Sequence, residues 1–241
     1  MSDRSRISVI TVVYNSARFL EETIQSVIER KKSLEIDYLI IDGGSIDGTV
    51  DIIKKYTNQI SYWVSEHDSG IYDAMNKGWA AASDDSFILF LGAGDRLISL
   101  PGDMFRYKQN DVVYGNVLMG EGAVFTPKVG FHLKLYNSLH HQALLVNKGC
   151  HPSPPFNTSY RLYADFDFNQ RLMKSGARFV YSPQFVAYAD PGGLSDQQSF
   201  SESLGIIRHN HGLFWVLLVL WGWTAMKIFP FLKRFRPYRA L

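Results

Sequence analysis

The chain has 241 residues, of which 46% are hydrophobic and 20% are charged. This length and composition allow one substantial α/β core and exclude a membrane protein with many spans. The 25 basic and 23 acidic residues leave a net charge of +2, so the chain as a whole lacks the positive field of a nucleic-acid-binding protein. Its single cysteine, Cys150, excludes an intramolecular disulfide and fits a reducing compartment.

The first hundred residues alternate between two hydrophobic periods. Buried apolar runs predict strands, and amphipathic stripes between them predict helices. The predicted strands are residues 7–14, 38–41, 60–65 and 87–91, and the predicted helices are residues 17–29, 49–56 and 71–82. Strands and helices that alternate at this spacing indicate right-handed βαβ crossovers and a mostly parallel sheet.

The pattern becomes irregular after residue 95. Further strands are predicted at residues 112–114, 117–119, 143–146 and 179–182, with a helix at residues 165–174 and a turn at residues 192–195. A helical pattern then runs from residue 199 into residues 212–226, which carry three tryptophans and no charge. We therefore expect a main domain over residues 1–205 and a hydrophobic, basic C-terminal segment over residues 206–241.

Each of the first four predicted strands ends in polar, glycine-rich or acidic residues. The four strand ends are residues 14–15, 42–45, 66–68 and 92–95. Ligands of open α/β sheets bind at the carboxyl ends of the strands. The convergence of these four segments therefore predicts a binding crevice at this edge of the sheet.

Two of these strand ends carry specific chemistry. Asp42 ends a buried strand, where a carboxylate can accept hydrogen bonds from a base N–H or a ribose hydroxyl. The nearby Asp47 is instead interpreted as the N-cap of the following helix. The segment Phe-Leu-Gly-Ala-Gly-Asp at residues 90–95 follows another strand. Its glycines, Gly94 among them, allow a ligand close to the backbone, and Asp95 offers oxygen ligands to the divalent cation that a nucleotide diphosphate leaving group needs.

In combination and in this order, these motifs resemble the family 2 glycosyltransferases of the GT-A fold. The resemblance covers residues 7 to about 195 and includes Asp-Gly-Gly-Ser at residues 42–45, the segment 68–78 and the segment 90–95. The segment 68–78 is most similar to the branch that builds bacterial exopolysaccharides and O-antigens. The resemblance implies a Rossmann-like, mixed and mostly parallel sheet flanked by helices, followed here by a C-terminal hydrophobic helix.

The resemblance also implies residue roles at the donor. Thr11, Tyr14 and Asp42 would lie at the base and ribose, Asp68 would border the nucleotide, and Asp95 would bind Mn²⁺ or Mg²⁺. The expected donor is a nucleotide-diphosphate sugar, with UDP ahead of GDP and dTDP. Many members carry additional carboxylates where this chain has Gly92 and Gly94, so the diphosphate and water would supply most of the cation's ligands.

The acceptor side is implied by the segment Tyr-Ala-Asp-Phe-Asp at residues 163–167, which resembles the family's Glu-Asp segment. Asp165 would be the general base, because inversion requires a carboxylate that takes the proton of the attacking hydroxyl. Ala164 replaces the usual Glu, and Asp167 reads as a helix N-terminal acid. His141 and Gln142 match a His-Gln pair of related members: they either contact the diphosphate or acceptor, or hold the structure by hydrogen bonds.

The C-terminal segment favours attachment to a membrane surface. A helix over residues 212–226 would be about 22 Å long, shorter than the ~30 Å hydrocarbon core. Its tryptophans suit the interface, and Lys233, Arg234, Arg236 and Arg239 suit anionic lipids. We expect a peripheral location at the cytoplasmic face of the cell membrane, with a buried core helix or a dimer contact as the alternative.

The predicted function is therefore inverting transfer of a sugar to a lipid-linked or polysaccharide acceptor in the synthesis of cell-surface glycans. The alternative is a relative without catalytic activity that binds nucleotide sugar or assists assembly. The observation behind this alternative is that Gly92 and Gly94 stand where many members have carboxylates. A nucleotide-cofactor oxidoreductase is disfavoured because residues 14–16 lack the Gly-x-Gly-x-x-Gly turn that admits a dinucleotide pyrophosphate. A nucleotidyltransferase is a weaker option, because it would require a basic, glycine-rich loop after the first strand.

Overall fold

A computed structural model of the chain describes residues 6–120, 122–151, 153–191 and 199–228. The first half contains β1 (Ile7–Val13), α1 (Ala17–Lys31), β2 (Ile36–Asp42), α2 (Thr49–Lys55), β3 (Tyr62–Ser65), α3 (Ile71–Ala81) and β4 (Phe87–Gly92). The second half contains β5 (Arg96–Ser99), β6 (Asp111–Met119), β7 (Ala123–Phe125), α4 (Phe131–Leu135), β8 (Leu144–Asn147), α5 (Ala164–Lys174), β9 (Arg178–Ala189), α6 (Phe200–His211) and α7 (Leu213–Ile228).

The strands form one mixed sheet in the order β3-β2-β1-β4-β8-β6-β9-β5, and β7 pairs with β6. The longest pairings are parallel, between β1 and its neighbours β2 and β4 and between β6 and β9. β8 is antiparallel to both β4 and β6. The predicted α/β class, with a mixed and mostly parallel sheet flanked by helices, is confirmed.

The alternation of side chains along β1 shows how the helices are distributed. Val9 and Val13 pack on the face covered by α1 and α2, whereas Ile10 and Val12 pack on the face covered by α3, α5, α6 and α7. The chain therefore leaves β1 along one face of the sheet and returns to β4 along the other. The strand order reverses between β1 and β4, which is where open α/β sheets bind their ligands.

The second half of the sheet differs from the sequence prediction in strand length. The strands predicted at residues 112–114 and 117–119 are one strand, β6, with an irregular register against β9 at Gly115. A β-carbon on Gly115 would lie 2.0 Å from the Phe185 carbonyl oxygen, so only glycine allows this approach. The strand predicted at residues 179–182 is the beginning of β9, which continues to Ala189.

The C-terminal helices pack against the sheet. The predicted division between residues 205 and 206 falls within α6, and Ile206 and Ile207 are buried in the same core as Phe166. Asn210 donates a hydrogen bond of 2.8 Å to Asp167 on α5. The predicted hydrophobic helix is α7, whereas the turn at residues 192–195 and the basic residues after 232 lie outside the described residues. In the described part of the chain, no helix is long and apolar enough to cross a bilayer.

Two helical glycines provide a test of the packing of α3 on the sheet. A β-carbon on Gly78 would lie 2.4 Å from Ile10 Cγ2 and 3.2 Å from Ile41 Cγ1, whereas one on Gly205 would meet nothing within 4 Å. We expect Gly78→Ala to lower the free energy of unfolding by about 1–3 kcal/mol through overpacking. Gly205→Ala should leave it unchanged or raise it by up to about 1 kcal/mol. Urea unfolding of both variants measures the difference, and equal effects would contradict the close packing of α3.

Candidate active site

The end of the crevice at which the sequence predicts the donor nucleotide is formed by Tyr14, Gly43 and Asp68, which follow β1, β2 and β3. A β-carbon built on Gly43 would lie 2.4 Å from Asp68 Oδ2 and 3.4 Å from Tyr14 Cδ2. The Tyr14 side chain is 61% exposed, and Asp68 Oδ1 accepts a hydrogen bond of 2.9 Å from the Gly70 N–H. The structure therefore brings two of the predicted donor residues together at a glycine whose missing side chain allows the Asp68 carboxyl to pack against the backbone.

Asp42 is fully buried directly beneath this crevice. Its Oδ2 accepts hydrogen bonds from the N–H groups of Gly44 and Ser45, at 3.2 and 2.9 Å, and from Ser65 Oγ at 2.6 Å. Its Oδ1 accepts a hydrogen bond from Ser45 Oγ. The carboxylate thus shapes the loop after β2, and its predicted contact with the donor stays a prediction.

Thr11 is also buried, on the face of β1 that packs against α1 and α2. Its hydroxyl lies 3.0 Å from the hydroxyl of Tyr38, whose pKa is raised by burial. The side chain therefore supports the strand from inside the core. Its predicted role at the base of the donor stays a prediction.

The loop after β4 holds Asp95 in a buried position. Asp95 Oδ2 accepts a hydrogen bond of 2.7 Å from the Gly92 N–H, and Oδ1 accepts one of 3.1 Å from the Asp190 N–H. The hydroxyl of Thr23 on α1 bonds to both the Gly94 N–H and the Asp95 carbonyl, at 2.9 and 2.7 Å. These bonds fix the direction in which the Asp95 carboxylate points.

A second carboxylate, which the sequence reading did not single out, lies next to this loop. A β-carbon on Gly94 would lie 3.0 Å from Asp190 Cβ and 3.2 Å from Asp190 Oδ2. Gly94 also has a φ of +102°, so two independent constraints require glycine there. The only signal for Asp190 in the sequence is an acid directly after a long strand. Among the described residues, no group of three or more His, Cys, Asp or Glu side chains has the arrangement of a metal site.

Burial raises the pKa of the Asp95 carboxyl above its ordinary value. The positive form of His141, the N–H groups of Gly92 and Asp190, and the Gln142 side chain oppose this shift without cancelling it. Both members of the predicted His-Gln pair therefore lie beside Asp95. Burial therefore disfavours the charged form of Asp95 unless a positive group lies near it.

Asp165 lies in the first turn of α5, on the other side of His141. Its Oδ2 is 3.6 Å from His141 Nδ1 and accepts a hydrogen bond of 3.1 Å from Asn137 Nδ2. Its Oδ1 accepts a 2.8 Å bond from the Phe166 N–H and lies 3.3 Å from the Tyr72 hydroxyl. The sequence analysis assigned no role to Asn137 or Tyr72: a single asparagine carries no motif, and Tyr72 was included only as part of the segment 68–78.

Asp167, two residues further along α5, has a different environment. Its Oδ2 accepts a 2.8 Å bond from Arg171 Nε, and its Oδ1 accepts the bond from Asn210. Both oxygens are therefore occupied by partners on α5 and α6. This arrangement fits the structural role that the sequence predicts for Asp167.

Sequence comparisons identify the family of the chain. Residues 8–97 match the family model described as Glycosyl transferase family 2. A PGL/p-HBAD biosynthesis glycosyltransferase of Mycobacterium tuberculosis (strain H37Ra) is 32% identical over 206 residues, which cover 78% of each chain. The chain belongs to glycosyltransferase family 2 and is a glycosyltransferase.

Solved structures with low sequence identity share the fold. S. aureus TarS has a TM-score of 0.66 at 16% identity, over 85% of this chain and 38% of TarS. The mannosyltransferase PcManGT of Pyrobaculum calidifontis, solved with GDP-Man and Mn²⁺, has a TM-score of 0.60 at 15% identity, over 98% of this chain and 82% of that one. These similarities confirm the predicted GT-A fold.

Proposed function

We propose that the protein transfers a sugar, with inversion at the anomeric carbon, from a nucleotide-diphosphate donor to a lipid-linked or saccharide acceptor in the synthesis of cell-surface glycans. The observation that carries this proposal is that His141 adjoins one acid and interacts electrostatically with a second. Its Nδ1 lies 3.6 Å from Oδ2 of Asp165 at the start of α5, and its positive charge would stabilise Asp95 after β4. A donor diphosphate at Asp95 and an acceptor hydroxyl at Asp165 would both lie near this histidine.

The donor nucleotide would occupy the space between Tyr14 and Asp68. The exposed Tyr14 ring offers an aromatic surface to a base, and the Asp68 carboxyl beside Gly43 offers an acceptor to a ribose hydroxyl. We infer UDP as the nucleotide, supported by the structure of TarS residues 1–349 in complex with UDP-GlcNAc. Asp42 and Thr11 would act here by shaping β2 and β1, and Gly94 by allowing the diphosphate close to the backbone.

The carboxylates of Asp95 and Asp190 fit a divalent cation, Mn²⁺ or Mg²⁺. Mg²⁺ is usually held by one or two carboxylates together with substrate phosphates and waters, so two acids without a third protein ligand are sufficient. A cation at this position would offset the cost of burying the charged form of Asp95. When bound, the cation would stabilise the negative charge that develops on the leaving diphosphate.

Asp165 would act as the general base. It would accept the proton of the acceptor hydroxyl while that oxygen forms a bond to the anomeric carbon and the bond from that carbon to the diphosphate oxygen breaks. Attack from the side opposite to the leaving group inverts the configuration. Asn137 holds Oδ2 of the carboxylate. The Tyr72 hydroxyl stays protonated at Oδ1, because burial and then the charge of Asp165 raise its pKa well above the usual value.

We infer from the proposed acceptor chemistry that the enzyme works at a membrane surface. One face of α7 exposes four large apolar side chains, whereas its opposite face packs into the core. The exposed residues are Leu213, Phe214, Leu217 and Trp221. Phe131 of α4 extends this apolar patch, since its ring lies 5.6 Å from that of Trp215.

The charges around the apolar patch match an anionic lipid surface. Lys134 Nζ lies 4.7 Å from the Trp215 ring, and Arg208 is exposed on α6. The basic residues 233–239 follow α7 in the sequence. Each basic residue near the surface contributes about 1 kcal/mol, in addition to the apolar burial. We therefore infer peripheral binding at the cytoplasmic face of the cell membrane.

The base assignment is tested by Asp165→Asn, which keeps the shape of the side chain but removes its proton affinity. A screen of UDP-glucose, UDP-galactose, UDP-GlcNAc and GDP-mannose first identifies a donor that releases nucleotide, with water or a saccharide as acceptor. We expect the variant to lower the turnover number by roughly 10²-fold or more and to leave donor binding intact. Asp51→Asn, at an exposed position of α2, should retain full turnover. An active Asp165→Asn variant would remove the base assignment.

The cation site is tested by Asp95→Asn and Asp190→Asn in a thermal-shift assay with UDP. Wild-type protein should show a larger shift with UDP and Mn²⁺ together than with either alone. Each variant should lose most of this additional shift, since it removes one anionic ligand. Asp84→Asn serves as the control, because its carboxylate is exposed and pairs with Lys148. Full retention of the Mn²⁺-dependent shift in both variants would exclude these carboxylates as ligands.

The membrane surface is tested by the double substitution Leu217→Ser and Trp221→Ser on the exposed face of α7. Burying a large apolar side chain contributes about 1.5–3 kcal/mol at full burial, so binding to vesicles that contain phosphatidylglycerol should fall by at least about 10-fold. UDP binding should be unchanged. Phe105→Ser, at an exposed aromatic residue outside this patch, is the matched control. Equal vesicle binding by wild type and the double variant would contradict the proposal.

A further inference from the structure

The loop at residues 161–163 leads directly into the helix that carries Asp165. Tyr163 is the N-cap residue of α5, and no side-chain hydrogen bond caps the helix from that position. The first N–H groups of a helix and of the turn before it have no partner within the helix. Some other group must satisfy them if the start of α5 is to hold one conformation.

A single carboxylate on α6 satisfies three successive N–H groups of this loop. Glu202 Oε1 accepts hydrogen bonds from Leu162 N at 2.8 Å and from Tyr163 N at 2.7 Å. Its Oε2 accepts one of 3.2 Å from Arg161 N. Hydrogen bonds to an ionised acceptor are roughly twice as strong as bonds between neutral groups.

The position of Glu202 on its own helix makes this arrangement distinctive. Ser199 caps α6 by accepting the Glu202 N–H at 3.3 Å, so Glu202 occupies the place of the acid in a capping box. In a capping box that acid bonds back to the N–H of its own cap residue. Here the carboxylate instead bonds to the backbone before α5, and it brings a negative charge to the start of that helix, where the dipole favours it.

We propose that Glu202 is a positioning residue for the general base, an inference that rests on the proposed role of Asp165. Asp165 follows Tyr163 by two residues, so a displacement of the loop displaces its carboxylate. Tyr72 joins the two parts: its hydroxyl lies 2.8 Å from the Leu162 carbonyl oxygen and 3.3 Å from Asp165 Oδ1. The Glu202 contacts therefore maintain the direction of the Asp165 carboxylate toward His141.

Loss of the Glu202 contacts should be a local change. The body of α5 is held to α6 independently, by the bond from Asn210 to Asp167 and by the burial of Ile206, Ile207 and Phe166. The nucleotide end of the crevice is built from the loops after β1, β2 and β3, and Glu202 contacts none of them in the described structure. A defect confined to the base should lower the turnover number and leave donor binding unchanged.

The test compares Glu202→Ala and Glu202→Gln with Glu29→Ala, which removes an exposed carboxylate from α1. Nucleotide release is measured with the donor selected in the screen, together with the KM for that donor. We expect Glu202→Ala to lower kcat by about 10- to 100-fold at unchanged donor KM, the size of effect that a small misplacement of a reacting group produces. Glu202→Gln should give an intermediate kcat, because its carbonyl oxygen can still accept from Leu162 and Tyr163. Glu29→Ala should match wild type.

Two results would overturn the inference. One is a wild-type kcat in Glu202→Ala; the other is a parallel loss of kcat, UDP binding and circular-dichroism signal in both Glu202 variants, which would indicate a role in folding alone. Asp165→Asn is assayed alongside. If Asp165→Asn is inactive while Glu202→Ala is fully active, only the positioning role fails. If Asp165→Asn is active, the proposed base itself is wrong.

Discussion

Hydrogen bonds from loop backbone N–H groups to carboxylates hold the candidate site in one shape. Asp42 accepts hydrogen bonds from N–H groups of the loop after β2, and Asp95 accepts them from the N–H groups of Gly92 and Asp190. Glu202 accepts them from the N–H groups of the segment before α5. Loops at the edge of a sheet have no ladder partners, so their buried N–H groups need other acceptors. Each carboxylate accepts hydrogen bonds from the N–H groups of one loop. These bonds also restrict the rotation of the carboxylate, which keeps the geometry of the candidate site well defined.

Asp95, Asp165 and Asp167 have different surroundings, and these differences support the different roles proposed for them. Burial dominates at Asp95 and makes its charged form unfavourable unless a positive group is near, which suits a residue that shares a cation with a diphosphate. Asp165 accepts hydrogen bonds from Asn137 and from the Phe166 N–H, which orient its oxygens, and it adjoins His141. Asp167 is turned toward Arg171 and Asn210, so its charge stabilises the contact of α5 with α6.

The sequence predicted the first four strands and the crevice at their ends, because strands buried on both faces are continuous apolar runs and their polar ends stand out. It missed the short elements β5, β7 and α4, whose three to five residues carry too little periodicity to detect. Asp190 was missed for a different reason. Its partnership with Asp95 joins residues 95 positions apart, and it depends on the pairing of β9 with β5, which no local pattern specifies. Asn137 and Glu202 likewise act through contacts between distant segments.

The helix α6 contacts three parts of the structure that the sequence analysis described separately: the loop before α5, the core beneath the sheet, and α5 itself. In its first turn, Glu202 accepts hydrogen bonds from the loop before α5. In its middle, Ile206 and Ile207 are buried against the sheet, and near its end Asn210 donates a hydrogen bond to Asp167. It then passes at Gly212, whose φ of +88° only glycine adopts readily, into α7 and its exposed apolar face. Because α6 is anchored at all three places, α7 extends from a fixed support and does not form an independent tail. Attachment of that face to a lipid surface would therefore fix the orientation of the crevice relative to the membrane, because α6 packs against both α5 and α7.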